Sequence, residues 1–417
     1  MGGNLRAILR SAAAVPDRAP DLDRLLVLAR RHRRRRRVAA TAASFVLVAV
    51  ATAVAIPLLR PNPGVVPNPA APTSLGRPIS FEALPDGWTE LPAPSHVRHY
   101  GATAWTGTQL LMWAGTVPEY SSVSEASGFA LDTRTGLWQD MPSAPLAGRI
   151  HPAHAWTGTE LLVWGGRSAG QPRTEWFADG AAYNPQTGVW RMLPPAPISA
   201  RAPMFAWTGR ELVVWGTVER GLQTPPDGAA YDPAADSWRP IAAAPVELTD
   251  ATAVWTGREI IVVGASLSPS DNAPATPTAI AAAYNPSTNA WRTLPHPDLS
   301  PQAATAAWNG AEVIAVDYQG PAAAYDPVTD AWRQLPDLPL SPGECLPQSV
   351  AIGRAVVVHL CRGMVLNGVA GDGWDDVTNP AYRGWWVELV AADPIVVLLG
   401  KKVPGNAEVV LAFRPQA

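Results

Sequence analysis

A Tyr and a Trp recur seven residues apart around a short turn sequence, and this spacing is repeated along the chain. The full copies are "YNPQTGVW" from Tyr183, "YDPAADSW" from Tyr231, "YNPSTNAW" from Tyr284 and "YDPVTDAW" from Tyr325. A further copy, "LDTRTGLW", has Leu131 in the Tyr position. Repetition at a regular period is typical of proteins built from one supersecondary unit. The chain is therefore predicted to fold as an array of similar units.

A second signature lies between successive Tyr/Trp pairs. It reads "AWTGTQLLMWAG", "AWTGTELLVWGG", "AWTGRELVVWG", "VWTGREIIVVG" and "AWNGAEVIAVD" along the chain. A Thr-Gly or Asn-Gly pair between two apolar runs predicts a two-residue β-hairpin turn, because Gly permits positive φ. The nearly continuous apolar second run is typical of a strand buried on both faces. The predicted turn glycines are Gly107, Gly158, Gly209, Gly257, Gly310 and Gly353.

Together the two signatures predict a four-stranded antiparallel sheet in each unit of 41 to 53 residues, the spacing between successive Trp residues. Such sheets cover one another when they are arranged radially, so we expect an all-β fold, a β-propeller. A weak last hairpin in "WVELVAADPIVVLLG" makes the predicted blade number seven, with six as the alternative. A strand around Trp88 is expected to complete the seventh blade, which would hide exposed sheet edges.

At these residues the chain resembles the kelch-repeat family, which includes galactose oxidase. Kelch units combine this Tyr/Trp spacing with a Gly-Gly doublet after the second strand and an Arg-and-His element before the hairpin. The doublet is intact at Gly165-Gly166, is reduced to Ala114-Gly115, Gly216-Thr217 and Gly264-Ala265, and is missing at Val316-Asp317. The resemblance covers about residues 80–417 and implies a kelch-type propeller. It leaves enzymatic and binding functions open.

The N-terminal part carries a membrane-anchor pattern. Residues 1–37 form a basic lead ending in "RRHRRRRR", and residues 38–59 contain no charged side chain. A helix of that length rises about 33 Å, enough to cross a hydrocarbon core of about 30 Å. A transmembrane helix over 38–59, a Pro-rich linker over 60–79 and a propeller over 80–417 are predicted. The Arg cluster predicts a cytoplasmic N-terminus and an extracytoplasmic propeller, with signal-peptide cleavage after Ala53-Val54-Ala55 as the alternative.

Charge is distributed unevenly along the chain. Residues 1–60 hold 12 Arg and 3 Asp, a net +9, whereas the rest holds 20 Lys+Arg and 32 Asp+Glu, a net −12. An acidic domain is a poor match to the phosphate backbone, so no nucleic-acid partner is predicted. The Arg, Ala, Pro and Gly richness resembles that of bacteria with GC-rich genomes.

The two cysteines, Cys345 and Cys361, flank the predicted sixth hairpin. If Ile352-Gly353 is its turn, the two side chains lie almost opposite each other, and an oxidising compartment favours a disulfide between them. Resemblance to galactose oxidase would imply a copper site with a Tyr–Cys cross-link. A disulfide leaves no cysteine for that cross-link, so no cofactor is predicted.

Histidines and arginines precede the first hairpins at corresponding places, in "HVRHYG" and "RIHPAH". One hypothesis is that they gather at a mouth of the central channel and bind a small anionic or carbohydrate ligand. The other is that they begin strands and satisfy backbone carbonyls in tight loops. No metal site is predicted, because the spacings are unlike those of zinc ligands. The residues concerned are His96, Arg98, His99, Arg149, His151, His154 and Arg201.

Four longer inserts join second to third strands and are expected to project from one face of the disc, where binding residues concentrate. Their candidate contact residues are Glu119, Tyr120, Arg173, Trp176, Glu219 and Arg220. Neither a Gly-x-Ser-x-Gly nucleophile motif nor a phosphate loop is present in the sequence. A non-catalytic recognition or scaffolding module for a protein or carbohydrate ligand is therefore predicted. The alternatives are a carbohydrate-active enzyme at the channel mouth and a membrane sensor signalling through residues 1–37.

Overall fold

Seven four-stranded antiparallel sheets appear in the computed structural model of the chain. The residues that it describes are 77–117, 123–170, 174–216, 227–245, 249–267, 277–299, 304–317, 320–339, 348–360, 363–368, 373–379, 387–401 and 407–416. The lead, the predicted transmembrane helix and all but the end of the linker lie outside these ranges. Within the described residues, no helix is long and apolar enough to cross a membrane.

The first three blades are formed by consecutive strands that follow a 3₁₀-helix (Phe81–Ala83) and strand β1 (Gly87–Leu91). Blade 1 contains β2 (Ala102–Trp105), β3 (Gln109–Trp113), β4 (Gly128–Asp132) and β5 (Leu137–Asp140). Blade 2 contains β6 (Ala153–Trp156), β7 (Leu161–Trp164), β8 (Gly180–Asn184) and β9 (Val189–Met192). Blade 3 contains β10 (Met204–Trp207), β11 (Leu212–Trp215), β12 (Gly228–Asp232) and β13 (Ser237–Ile241).

The remaining blades follow the same order. Blade 4 contains β14 (Thr249–Trp255), β15 (Ile260–Leu267), β16 (Pro277–Asn285) and β17 (Ala290–Thr293). Blade 5 contains β18 (Ala304–Trp308), β19 (Val313–Asp317), β20 (Ala322–Asp326) and β21 (Ala331–Gln334). Blade 6 contains β22 (Gln348–Ile352), β23 (Ala355–Leu360), β24 (Gly363–Asn367) and β25 (Asp375–Asp376). Blade 7 begins with β26 (Glu388–Ala392), β27 (Ile395–Lys401) and β28 (Glu408–Arg414).

The first strand that the structure describes completes the last blade, as the sequence predicted. Strand β1 pairs antiparallel with β28, and Trp88 lies opposite Phe413. The Trp88 indole also donates a 2.7 Å hydrogen bond to the Val377 carbonyl of blade 6. The number of blades is therefore seven rather than six.

The first strands of the blades form a closed ring. Strand β2 contacts β6, and the contacts continue through β10, β14, β18, β22 and β26 back to β2. These strands surround the central channel, and the fourth strands lie at the rim. Because each blade is an antiparallel meander, the hairpin turns and the turns between third and fourth strands lie on one side of the disc, the turn face. The other side, the loop face, carries the loops between second and third strands and the links between blades.

Seven hydrophobic clusters fill the seven interfaces between adjacent blades. The second strands supply much of this core, since every residue of β7, β11 and β19 is buried. Strands buried on both faces need apolar side chains in succession, which explains the unbroken apolar runs of the sequence.

The hairpin turns lie one residue later than expected. Thr106 N–H donates to the Gln109 carbonyl at 2.9 Å, so the central pair of this turn is Gly107 and the residue after it. The φ of Gly107 is +95°, and the other predicted turn glycines also have positive φ. Gly as the first central residue is typical of a type II′ turn, whose twist suits a hairpin. In blade 6, likewise, Ile352 pairs with Ala355, so Gly353 begins the central pair.

The recurring Tyr and Trp form direct cross-strand pairs, such as Tyr183 opposite Trp190. Ring centroids in the four full copies lie 4.9–5.2 Å apart. The Trp190 indole N–H donates to the Pro142 carbonyl of the preceding link at 2.9 Å, and Trp291 donates to the Ala242 carbonyl at 2.8 Å. The Trp therefore ties each blade to its predecessor.

An Arg directly follows the Trp in four blades and forms a second connection between blades. Arg239 makes two hydrogen bonds to Glu211 of its own blade at 2.6 and 2.8 Å, and a third to the Tyr284 hydroxyl of the next blade at 3.4 Å. The corresponding pairs are Arg191–Glu160, Arg292–Glu259 and Arg333–Glu312. Blade 1 has Gln139 and Gln109 at these two positions.

Candidate ligand site at the channel mouth

Three of the predicted ligand residues, Arg98, Arg149 and Arg201, stand just before the innermost strands of blades 1 to 3, and all are buried. Arg149 donates to the Gly165 carbonyl and to the Asp179 carboxylate, both at 2.9 Å. Each guanidinium thus ties the start of an innermost strand to the start of the third strand in its own blade. This is the arrangement expected of residues that satisfy loop carbonyls.

The other two arginines repeat this pattern. Arg201 donates to the Asp227 carboxylate at 2.8 Å and to the Ser199 hydroxyl at 2.8 Å. Arg98 donates to the Ser127 hydroxyl at 2.8 Å and also to its carbonyl. Such fixed, forked hydrogen bonding is characteristic of Arg rather than Lys.

Aromatic rings cover the Arg149 guanidinium. Its central carbon lies 4.4 Å from the ring centroid of Phe177 and 5.9 Å from that of Trp113 in blade 1. Burial lowers the pKa of Arg149, while the hydrogen bond and the charge of Asp179 raise it. Arginine keeps its charge under such conditions, so the cation is held by one carboxylate, by carbonyls and by π faces.

The Gly-Gly doublet allows close backbone approach on the loop face, at Gly165 to the link into blade 3 and at Gly166 to the start of its own blade. A Cβ added to Gly165 would lie 2.7 Å from the Arg201 carbonyl oxygen, and one added to Gly166 would lie 2.8 Å from that of Ile150. Both glycines have positive φ. In blade 1 the first position of the doublet is Ala114, which adopts φ +63° despite its side chain.

Tyr100 and His151 form an aromatic pair at the mouth of the channel on the loop face. Their ring centroids are 4.5 Å apart, and the His151 N–H donates to the Tyr100 carbonyl at 2.8 Å. Both have left-handed backbones, with φ of +62° and +52°. This conformation is costly for residues other than glycine and concentrates at functional sites. Tyr100 follows Arg98 by two residues, as His151 follows Arg149, so the repeat places the rings in equivalent positions.

Glu388 reaches the same place from blade 7. It is the first residue of β26, and its Oε1 accepts a 2.7 Å hydrogen bond from the Tyr100 N–H. Burial raises the pKa of Glu388 to about 7, although the Tyr100 hydrogen bond opposes the shift. Burial, and secondarily the charge of Glu388, raise the pKa of Tyr100 to about 12. The mouth therefore holds a carboxyl group that exchanges its proton near neutral pH.

Arg167 brings positive charge to this cluster. It lies in the loop after β7 and forms β-bridges with Ile150 and with the predicted contact residue Trp176. Its charge lowers the pKa of Tyr100 and contributes, after burial, to a pKa of about 4 for His151. Tyr100, His151, Arg167 and Glu388 are all half-buried, so solvent reaches them. Three blades thus supply an aromatic pair, an acid and a cation at one mouth.

The other predicted histidines have different surroundings. His99 is buried and has a pKa of about 4, caused by burial and by Lys401. His154 lies on β6 with its ring centroid 4.9 Å from that of Phe205, and burial lowers its pKa. His96 is exposed. Among the residues described, no group of three or more His, Cys, Asp or Glu side chains could hold a metal ion.

Several predicted residues lie outside the described residues, and their roles stay predictions. They are Glu119, Tyr120, Arg173, Glu219, Arg220 and both members of the predicted disulfide, Cys345 and Cys361.

Sequence reasoning missed Tyr100, Arg167 and Glu388. The sequence did contain a signal for Tyr100. When Arg98 is aligned with Arg149, Tyr100 falls at the position of His151. Glu388 lies in a blade that has neither the Tyr/Trp pair nor the Thr-Gly turn, so no repeat position pointed to it.

Strand order, ring closure and this mouth define the class of the chain, a seven-bladed β-propeller with a polar channel mouth. No protein-family model and no curated protein matches the sequence. Among solved structures, "Structure of YjhT" is similar to this chain with a TM-score of 0.50 and 15% sequence identity. The alignment covers 77% of this chain and 99% of that chain. At this identity the similarity concerns the fold alone.

Proposed function

We propose that the chain is a membrane-tethered, extracytoplasmic propeller of the kelch type that recognises a ligand at the channel mouth on its loop face. The observation that carries this proposal is the convergence of Tyr100, His151 and Glu388 from three blades. The Tyr/Trp pairs and the doublet Gly165-Gly166 support the kelch assignment. The apolar segment 38–59 and the Arg cluster before it support the tether and its orientation.

The chemistry of the mouth favours a ligand with an apolar face and several hydrogen-bonding groups. The tilted ring pair of Tyr100 and His151 offers an aromatic surface, and Glu388 and Arg167 offer an acid and a cation beside it. Aromatic surface with a few placed polar groups is the usual composition of small-ligand sites. A sugar unit has this chemistry, and so does a polar side chain presented by a partner protein.

Variants that remove one group at a time test the proposal. Tyr100→Gly deletes the ring while keeping a residue that accepts positive φ, and Glu388→Gln keeps an acceptor for the Tyr100 N–H. His96→Ala changes an exposed side chain of the same link and is the matched control. Purified full-length protein and variants would be titrated with a panel of soluble sugars and cell-envelope proteins. We expect one ligand class to bind both the wild type and the control. Its affinity should fall at least about tenfold in the two site variants, because lost hydrogen bonds to charged groups cost about 1.5–3 kcal/mol.

A second candidate function, a carbohydrate-active enzyme at the same mouth, is favoured by one observation. Glu388 has a pKa of about 7, which suits a general acid or base at neutral pH. Turnover of a bound sugar by wild type, abolished in Glu388→Gln while binding persists, would support the enzyme over the recognition module.

A further inference from the structure

On the turn face, opposite the channel mouth described above, residues that the structure describes line two open clefts, each between neighbouring blades. The cleft between blades 3 and 4 has a volume of about 520 Å³. The cleft between blades 1 and 2 has a volume of about 420 Å³. Both values fall in the range of small-ligand sites, about 300–1,000 Å³.

The two clefts are built from equivalent positions of the repeat. One wall of each cleft contains the Thr that begins a hairpin turn and the residue that ends the same turn. On the other wall, each has the half-buried Trp that ends the next innermost strand, with two residues of the next Asn-Pro turn. The equivalent pairs are Thr208 and Thr106, Glu211 and Gln109, Trp255 and Trp156, Pro286 and Pro185, and Ser287 and Gln186.

Charges that line the clefts are paired within the protein. In the cleft between blades 3 and 4, Arg239 binds Glu211 at 2.6 Å, and Arg210 lies 3.3 Å from Asp232. In the other cleft, Arg134 binds Asp132 at 2.7 Å. These pairs leave each cleft with balanced charge.

The balance is kept even where the sequence changes. Blade 1 replaces both members of the Arg239–Glu211 pair, because Gln139 and Gln109 stand at the two positions. A change of only one member would have left an unpaired charge beside the cleft. Amides preserve hydrogen-bonding capacity without charge. Both clefts therefore favour a ligand without net charge.

We propose that these inter-blade clefts bind neutral, hydroxyl-rich units, the sugar rings of a carbohydrate chain. The indoles of Trp255 and Trp156 supply the surface against which the apolar face of a ring packs. The surrounding hydroxyl, amide, carboxylate and guanidinium groups exchange hydrogen bonds with sugar hydroxyls. Repetition of the cleft on one disc gives avidity for a polymer whose rings reach two clefts at once.

Filling the clefts from exposed positions tests the proposal without disturbing the core. Ser287→Trp and Gln186→Trp place an indole on a wall of each cleft, and Thr288→Trp and Thr187→Trp, at exposed neighbours that do not line them, are the matched controls. Far-ultraviolet circular dichroism of all four variants checks folding. Saturation-transfer NMR of the full-length protein, in a detergent without a sugar headgroup, would use glucose, N-acetylglucosamine and glucuronate as probes.

We expect transfer to glucose or N-acetylglucosamine that exceeds transfer to glucuronate, that falls in the double variant Ser287→Trp/Gln186→Trp to the level contributed by the channel mouth, and that persists in the double control. The channel-mouth variant Tyr100→Gly should keep this signal, which separates the clefts from the proposed function. An N-acetylglucosamine hexamer should bind about tenfold or more tightly than the monomer. Absence of transfer to both neutral probes, preference for glucuronate, or equal signal in the filled variant and its control would overturn the proposal.

Discussion

Replacing Glu388 by glutamine should make the protein more stable at alkaline pH and leave its stability unchanged in acid. Burial raises the pKa of this carboxyl from 4.5 to about 7 in the folded state. The folded protein therefore binds a proton that the unfolded chain releases between these two values. The carboxylate destabilises the fold as pH rises from about 4.5 to 7, and the full penalty is present above pH 7. Glutamine cannot ionise, so the variant does not incur this penalty.

The size of the effect follows from the shift. One pKa unit corresponds to about 1.4 kcal/mol, which gives an upper limit of about 3 kcal/mol for the penalty. Because Glu388 keeps contact with solvent through the channel mouth, we expect a gain of about 1–3 kcal/mol at pH 8. The side-chain oxygen of the introduced glutamine can still accept the hydrogen bond from the Tyr100 N–H, so the substitution removes charge with little change in shape.

Urea unfolding of wild type and Glu388→Gln at about pH 5, 6, 7 and 8 would measure this difference, because these values bracket the folded-state titration. Buried histidines with a pKa of about 4, such as His99 and His359, also make stability depend on pH, but they are common to both proteins and cancel in the comparison. Glu82→Gln, at an exposed position of the 3₁₀-helix, is the control. A difference that stays constant across this pH range, or a less stable variant at its alkaline end, would refute the reasoning.

Three further substitutions test the contacts that hold the blades together, within a blade and between neighbouring blades. Arg149→Lys should cost about 1.5–3 kcal/mol in urea unfolding, because an ammonium cannot reproduce the forked contacts of the buried guanidinium; a cost below about 0.5 kcal/mol would contradict this. Trp291→Phe removes an indole donor and ring area, and should lower the midpoint of thermal unfolding with a cost of about 1–3 kcal/mol; an unchanged midpoint would count against the Trp link. Gly166→Ala should destabilise more than Gly209→Ala, because both have positive φ but only the first meets neighbouring backbone; equal costs by calorimetry would remove the close-approach argument.

The fold was largely predictable because the same contacts recur in several blades, and the residues that make them recur in the sequence at fixed spacings. The pair Tyr183 and Trp190 lies opposite across a turn, and that spacing recurs wherever the turn recurs. Closure by Trp88 followed from counting strands, since one sheet lacked a fourth strand and the chain began with an extra one. The turn register was wrong by one residue, because a Thr-Gly dipeptide shows that a turn is present without fixing which residues are central. In the structure Thr106 accepts the Gln109 N–H at 2.9 Å through its hydroxyl, which makes it the first residue of the turn.

The candidate site was only partly predictable. His151 was found because polar residues stood out at repeat positions. The role of Arg149 depends on which carbonyls and rings surround it, and that information comes from residues in other strands and another blade. Glu388 is 288 residues from Tyr100 along the chain, and only ring closure brings their blades together. Its raised pKa arises from burial at that junction, which a linear pattern does not express.

Hydrogen–deuterium exchange of the full-length protein with and without a saturating ligand from the binding panel tests the central claim most directly. Ligand seated at the channel mouth should slow exchange in residues 97–101, 149–152 and 387–389, which meet there from blades 1, 2 and 7. The protection should disappear in Tyr100→Gly. Protection confined to the turn face, or protection that persists in that variant, would contradict a recognition site built from Tyr100, His151 and Glu388.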